Sequence, residues 1–289
     1  MIPSTYSGFL HPRPAFVLNI HGRPVDISRG MVMGILNVTP DSFYDGGKFT
    51  EERLILENVE KLVSEGAGII DIGGASSRPG AEIVPEETEY QRVIPAIRLI
   101  RKYFPEMVVS IDTWRSNIAR VAVEEGAGII NDISGGELDP EMFATAGKCR
   151  VPYILMHMKG TPKDMQEQPS YIDVTLEVMQ YFTHKMSELR KAGVKDILLD
   201  PGFGFGKTNE HNYTLLKNLH LFHRLDAPVV CGFSRKSMIN KVLKIKAEQA
   251  LNGTTVLNTI AGLHGAHIFR VHDAREAREC LDLINFYAS

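Results

Sequence analysis

Asn37, Asp71, Asp112, Asn131, His157, Asp200, Lys236, Arg270 and His272 each stand at or just beyond the carboxyl end of a short apolar run. Strand propensity alone does not end apolar runs in such groups repeatedly, and their types define a chemistry. Asp112, Asn131 and Asp200 can accept hydrogen bonds from a flat heterocycle that presents several N–H donors, and a charged acceptor strengthens each bond. Arg235, Lys236, Arg270 and His272 collect late in the chain and suit an anion, beside Asn37 of the first run. The acceptors and the cations are sorted. They describe a ligand with a donor-rich ring at one end and a phosphate or pyrophosphate at the other. Asp132 and Asp273, next to expected helix starts, read as capping groups.

The stretch LDPGFGFGKT (199–208) tests the competing idea of a nucleotide cradle. Gly206-Lys207-Thr208 matches the end of a P-loop, but Pro201 stands where the first glycine belongs. The dinucleotide fingerprint also fails, because Lys207 occupies the place of its third glycine. The segment matches neither template, and what an apolar strand ending in Asp200 does with a glycine-rich turn and a lysine has to be answered by the rest of the chain.

These side chains need a scaffold that gathers residues scattered over most of the chain. Strands are expected at 31–37, 68–73, 108–112, 128–132, 152–157, 196–200, 228–233 and 267–271. Helical periodicity runs through 51–65, 85–103, 116–125, 140–147, 173–191, 210–224, 236–263 (as one helix or two) and 274–286. Strict strand and helix alternation is the pattern of a (β/α)8 TIM barrel, although an open doubly wound sheet shares it. An internal echo favours the barrel. GAGIIDIGG, GAGIINDISGG and GAHIFRVHD begin at Gly66, Gly126 and Gly265, and each carries a polar residue at its sixth position: Asp71, Asn131 and Arg270. One depth in three strands is polar, as the floor of a barrel pocket requires. Before residue 31, two alternating runs flank His21-Gly22 and read as a short hairpin lying over the bottom of the barrel. Segments 38–49 and 74–85, with 155–169 as a third, leave the face where the strand ends gather and are expected to be lids that exclude water.

The chain has 289 residues and 44% apolar content, which supports one α/β domain over 1–289, with 1–30 as an N-terminal extension and hairpin. A net charge of −3 gives no global attraction to nucleic acid or to a membrane, so any anion site is local. Three cysteines without metal spacing suit a reducing compartment and read as buried apolar residues. With neither a membrane-length apolar run nor a signal-like start, a cytoplasmic location is expected.

GILNVTPDSFYDGG (34–47), DIGGASSRPG (71–80), SIDT (110–113), INDISGG (130–136), LMHMKGTP (155–162), DPGFGFGK (200–207), GFSRKS (232–237) and RVHD (270–273) follow one another in an order and spacing that resemble the dihydropteroate synthase family from about residue 13 onward. The resemblance implies a (β/α)8 barrel that condenses 6-hydroxymethyl-7,8-dihydropterin pyrophosphate with p-aminobenzoate and releases pyrophosphate. It further implies that Asp112, Asn131 and Asp200 hold the pterin, with Lys236 at its carbonyl side and Met156 and Phe205 packed nearby, and that Gly202 to Gly206 form a turn that lets backbone and Phe205 approach the aryl ring and Lys207 face the site. Asn37, Arg270 and His272 are implied to hold pyrophosphate, Asn37 also through Mg2+. Ser77, Arg78, Pro79 and Ser234, with Phe205 and Lys236, are implied to shape the p-aminobenzoate pocket, and Asp112, Lys236, Arg270 and His272 to act in catalysis. Family members commonly pair as homodimers through late helices, where Leu257, Ile260 and Leu263 form an apolar stripe that intrachain packing explains equally well. The chain departs from the usual DIGGESTRPG at Ala75, which lacks a carboxylate, and at Ser77, which lacks a methyl group.

Two other functions share much of this pattern. A pterin-binding methyltransferase-type domain has the same barrel and carboxylate floor but no use for the GFSRKS and RVHD cations. An inactive pterin-binding paralogue finds its support in Ala75 alone.

Overall fold

A computed structural model describes residues 10–39, 47–75, 84–160 and 169–289. The hairpin consists of β1 (Val17–Ile20) and β2 (Arg23–Asp26), antiparallel, turning at His21 (φ 50°) and Gly22 (φ 81°). Positive φ at both turn residues matches the twist of a two-residue hairpin loop. Eight parallel strands then form the main sheet: β3 (Met31–Asn37), β4 (Ile69–Gly73), β5 (Val108–Asp112), β6 (Ile129–Asp132), β7 (Tyr153–Met156), β8 (Ile197–Asp200), β9 (Val230–Cys231) and β10 (Ile268–Val271). They pair in the order β8-β7-β6-β5-β4-β3-β10-β9, and a parallel bridge between Leu199 and Val229 joins the two ends. The expected barrel is thus present, and the open-sheet alternative is excluded.

Helices alternate with the strands: α1 (Gly47–Ser64), α2 (Glu86–Tyr103), α3 (Ser116–Glu124), α4 (Met142–Cys149), α5 (Val174–Lys191), α6 (Asn209–Lys217), α7 (Ser237–Leu243), α8 (Leu251–Leu263) and α9 (Ala274–Ala288). Where a helix was expected over 210–224, α6 stops at Asn218 and a 3-10 turn, Leu219–Leu225, follows. The 236–263 segment divides in two, because Lys244 takes left-handed backbone (φ 54°) and ends α7. Helix α1 begins at Gly47, inside the first expected loop. Among the described residues no helix is long and apolar enough to cross a membrane.

Strand alternation decides what enters the barrel, since side chains point inward at every second residue. Met33, Ile69, Ile129, Ile154, Leu198, Val230 and Ile268 form one buried apolar cluster together with Leu18, Ile20 and Ile27 of the hairpin segment. The hairpin therefore closes the bottom, as its alternation implied. Two residues further along the same strands stand Asp71, Asn131, Met156, Asp200 and Arg270, so the apolar plug and the polar floor are successive inward levels. The outward residues, such as Ile70, Ile72, Ile111, Ile130 and Leu199, pack against the helices in a second and larger core.

Candidate functional site

At the polar level, Asp71 is the hub. Its Oδ2 accepts from Asn131 Nδ2 at 3.0 Å and from Arg270 Nε at 2.6 Å, while Arg270 Nη2 reaches Asp112 Oδ2 at 2.6 Å. Asp71, Asn131 and Arg270 are the sixth residues of the three echoing segments, so the repeated polar depth corresponds to one hydrogen-bonded cluster. Asp71 is fully buried and was given no role from sequence, although the echo singled it out. The expected separation of acceptors from cations is not found in that form. Arg270 reaches back from β10 to β4 and β5 and joins the two sets.

Burial pushes the Asp112 carboxyl up to about 7, Asp71 adds to the rise, and Arg270 opposes it. Burial likewise lowers Lys236 to about 8 against the pull of Asp200. For Arg270, burial disfavours the charge but Asp71 and Asp112 outweigh it and keep the guanidinium protonated. Asp200 is raised by burial and opposed by Lys236, and its Oδ1 accepts from the Gly202 amide at 2.7 Å.

Lys236 Nζ donates to the Phe203 carbonyl at 2.6 Å and lies 4.8 Å from the centre of the Phe205 ring. Phe205 and Trp114 pack on a small apolar cluster of Ile133, Met156 and Met158. Asp112, Asp200, Lys236 and Arg270 thus share one mouth, and an apolar wall of flat or flexible side chains stands beside it.

On the other side, Ser234 Oγ lies 2.9 Å from His272 Nδ1 and accepts from the His272 amide at 3.3 Å. Sequence resemblance assigned these two to different subsites, but they are in direct contact. At the front, a Cβ placed on Gly73 would stand 3.6 Å from both Asn37 Oδ1 and Asp112 Oδ2. The bare Cα therefore leaves a space bordered by an amide oxygen and a carboxylate oxygen. Such a donor set suits a hard dication that completes its shell with water and phosphate oxygens.

Several expectations change. Lys207 does not face the site: it is buried, and its Nζ donates to the carbonyls of His157, Gly202 and Phe205 and contacts His157 Nδ1 at 2.9 Å. It fastens the glycine turn from beneath. Asp273 does not cap α9 through its side chain and instead accepts from Arg235 Nη2 at 2.9 Å. Asp132 caps no helix either; it is buried and binds the Ser134 and Gly136 amides, the Ser134 hydroxyl and Tyr153 Oη, which shapes the loop after β6. Cys231 and Cys280 are buried as expected, whereas Cys149 is half-buried. Leu257 and Ile260 of the late stripe pack into this chain's own core, and Val242, Leu243, Leu251 and Val256 are the exposed apolar residues of that region. Ser77, Arg78 and Pro79, with most of the three expected lids (40–46, 76–83 and 161–168), lie outside the described residues.

Sequence reasoning also missed a buried cluster behind Asp112. Glu89 of α2 accepts from Thr113 Oγ1 at 2.6 Å and pairs with Arg115, whose other nitrogen donates to the Val84 carbonyl. Arg92 of the same helix donates to the Gly74 carbonyl at 2.8 Å. Both ends of the segment that carries 76–83 are therefore tied to α2. Only the position of Thr113 beside Asp112 could have hinted at this.

A closed barrel with carboxylates, an amide, lysine and arginine converging at its strand ends, beside an apolar wall, is the design of a pterin-binding barrel enzyme. A sequence profile described as pterin binding enzyme matches residues 33–272. The chain is 44% identical over 265 residues to dihydropteroate synthase of Escherichia coli, covering 91% of this chain and 93% of that one. Its fold matches the dihydropteroate synthase of Yersinia pestis in a sulfonamide drug complex, with a TM-score of 0.89, 39% identity and coverage of 94% and 99%. The Xanthomonas albilineans dihydropteroate synthase with 4-aminobenzoic acid matches with a TM-score of 0.88 at 37% identity, covering 96% of this chain and 99% of that one. The chain belongs to the dihydropteroate synthase family and is a transferase.

Proposed function

We propose that this chain condenses 6-hydroxymethyl-7,8-dihydropterin pyrophosphate with p-aminobenzoate to give 7,8-dihydropteroate and pyrophosphate, with the roles that follow. The observation that supports this most is the joining of Asp112 and Arg270 in one mouth, because the reaction needs a base-edge acceptor and an anion ligand a few ångströms apart. Asp112, Asn131 and Asp200 hold the N–H edge of the pterin, and Lys236 sits at its carbonyl side. Met156 and Phe205 pack against the ring. Arg270 offers pyrophosphate the Nη1 that makes neither of its two carboxylate bonds, with His272 and Asn37 as further ligands.

The C–O bond between the pterin methylene and pyrophosphate breaks, the aryl amine forms the new C–N bond, and the amine proton leaves to water or to the departing anion. A dissociative course fits the electron-rich ring, with Asp112 stabilising the cation that develops on it. Asn37, beside Asp112, would hold Mg2+. When bound, this ion supplies charge neutralisation of the leaving group. Ser77, Arg78, Pro79, Ser234, Phe205 and Lys236 form the aminobenzoate pocket, which sulfonamides should share. The chain acts in the cytoplasm as a homodimer, and the exposed Val242, Leu243, Leu251 and Val256 are the apolar surface available to the late-helix contact.

Pyrophosphate release on adding both substrates with Mg2+ tests this directly. Release of pyrophosphate with formation of dihydropteroate when both substrates are present supports it; binding of pterin without turnover would indicate a silent pterin binder.

A further inference from the structure

His11, His220 and His264 meet at the opposite end of the barrel from the mouth. His264 follows α8 and leads into β10, His220 lies in the 3-10 turn before β9, and His11 is anchored by its amide to the Leu263 carbonyl at 2.8 Å. Each offers one nitrogen, and the three nitrogens lie within 4.8 Å of one another. His220 Nδ1 and His264 Nδ1 are buried and make no hydrogen bond. The His11 and His220 rings are stacked with centroids 3.9 Å apart, and His264 lies 5.4 and 5.7 Å from them. Stacking alone leaves two buried ring acceptors unsatisfied, and a metal ion would engage them.

We propose that His11, His220 and His264 form a binding site for a borderline transition dication, for which Zn2+ is the probe. Three imidazoles and one water make the tetrahedral set that such ions favour, whereas Mg2+ and Ca2+ prefer oxygen. Zn–N bonds of about 2.0–2.1 Å put tetrahedral nitrogens ~3.3 Å apart, so the present spacing closes by about 1.5 Å at most. Closing it takes rotation of His11, whose backbone amide rather than ring is anchored, together with movement of the His220 and His264 rings toward one another. The groups facing the site are the three imidazoles, His223 and Arg224. Burial first, then mutual repulsion, lowers His220 and His264, with Arg224 adding to the effect at His220 and the Lys217 carbonyl opposing it, which favours the neutral imidazole. No acidic side chain is required. The bound ion would join three segments that are far apart in sequence, on the barrel face where added contacts serve stability rather than chemistry.

The test is titration of the chelator-treated full-length chain with Zn2+ by calorimetry, with Mg2+ in excess to fill oxygen sites. One ion per chain is expected, with binding weakened by more than ~10-fold in His264→Ala and His220→Ala because a lost ligand nitrogen is not replaced. His11→Ala, outside the barrel elements, provides the same reading if either of the others fails to fold. Co2+ should show the intense visible absorption of a tetrahedral site in the wild type and lose it in each variant. Dihydropteroate synthesis should be unchanged in all three. Absence of stoichiometric binding, equal affinity in wild type and His11→Ala, or an octahedral Co2+ spectrum would overturn the assignment.

Discussion

Asp71 on β4 and Arg270 on β10 are joined at 2.6 Å across the barrel, although 199 positions separate them and β3 lies between their strands in the sheet. The bond turns the guanidinium so that its Nη2 meets Asp112. In the proposed mechanism Asp71 is accordingly a positioning residue: fully buried, it touches Arg270, the proposed anion ligand, rather than the reacting atoms.

Replacing Asp71 by Asn keeps the shape but removes the charge that aims Arg270. Hydrogen bonds to charged groups contribute about 1.5–3 kcal/mol, so kcat/KM for the pterin pyrophosphate should fall ~10- to 100-fold. KM for p-aminobenzoate should change little. Steady-state kinetics with each substrate varied in turn distinguishes this from general damage, which would affect both.

Arg270→Lys keeps a positive charge but cannot span two carboxylates and an anion, because an ammonium is a point charge and lacks the fork. It should raise KM for the pterin pyrophosphate nearly as much as Arg270→Ala does. Asp112→Asn should instead slow pyrophosphate release even without p-aminobenzoate. Unchanged release in that variant would remove Asp112 from the ionisation step.

The pH profile follows from two shifted groups. Below about 7 Asp112 is protonated and cannot stabilise a pterin cation; above about 8 Lys236 loses its proton and its charge. In the free enzyme, kcat/KM for the pterin substrate should therefore be a narrow bell with limbs near those values. Asp112→Asn should abolish the acid limb and leave the alkaline one, which a pH series on both proteins would reveal.

Much of the scaffold was legible because parallel strands buried on both faces are short, apolar and bounded by helices, and their bounds were read to within one residue except at β9, which is two residues shorter at each end than expected. Three helix boundaries were not: Asn218 and Lys244 break helices without glycine or proline, and α1 starts at Gly47, four residues before its expected start. At the site, residue types announced which side chains gather at the mouth, but not which touch. Arg270 could be placed at the anion end from its position on the last strand, whereas its length lets it cross to Asp71 and Asp112. Lys207 was misread for a related reason: a lysine beside a glycine turn faces either way, and only the four acceptors beneath it decide the direction.

Glu89 and Arg115 form a buried pair whose loss should be felt in stability and in the aminobenzoate site together. Removing one partner of such a pair costs about 3–5 kcal/mol because the other charge is left buried. Glu89→Gln should lower the denaturation midpoint and raise KM for p-aminobenzoate, since Arg115 also holds the Val84 carbonyl where segment 76–83 rejoins α2. A double change to apolar residues of similar size should recover much of the stability but not the KM. Equal recovery of both would mean that the pair serves the fold alone.

The glycine turn offers the sharpest separation of backbone from side chain. Gly202 has φ +68°, and a Cβ there would stand 1.9 Å from the His157 carbonyl oxygen, so Gly202→Ala must move the turn or β7. Lys207→Met leaves the backbone its conformation but strands the carbonyls of His157, Gly202 and Phe205, a loss of about 1–3 kcal/mol for each acceptor that finds no water. Both changes would act on the proposed pterin site through Phe205 and Lys236, because Lys236 is tethered to Phe203 within the same turn. Each should weaken pterin binding and lower stability, with Gly202→Ala the more severe. If Lys207→Met is as stable as the wild type, the turn is held by its own backbone, and the buried amine has another purpose.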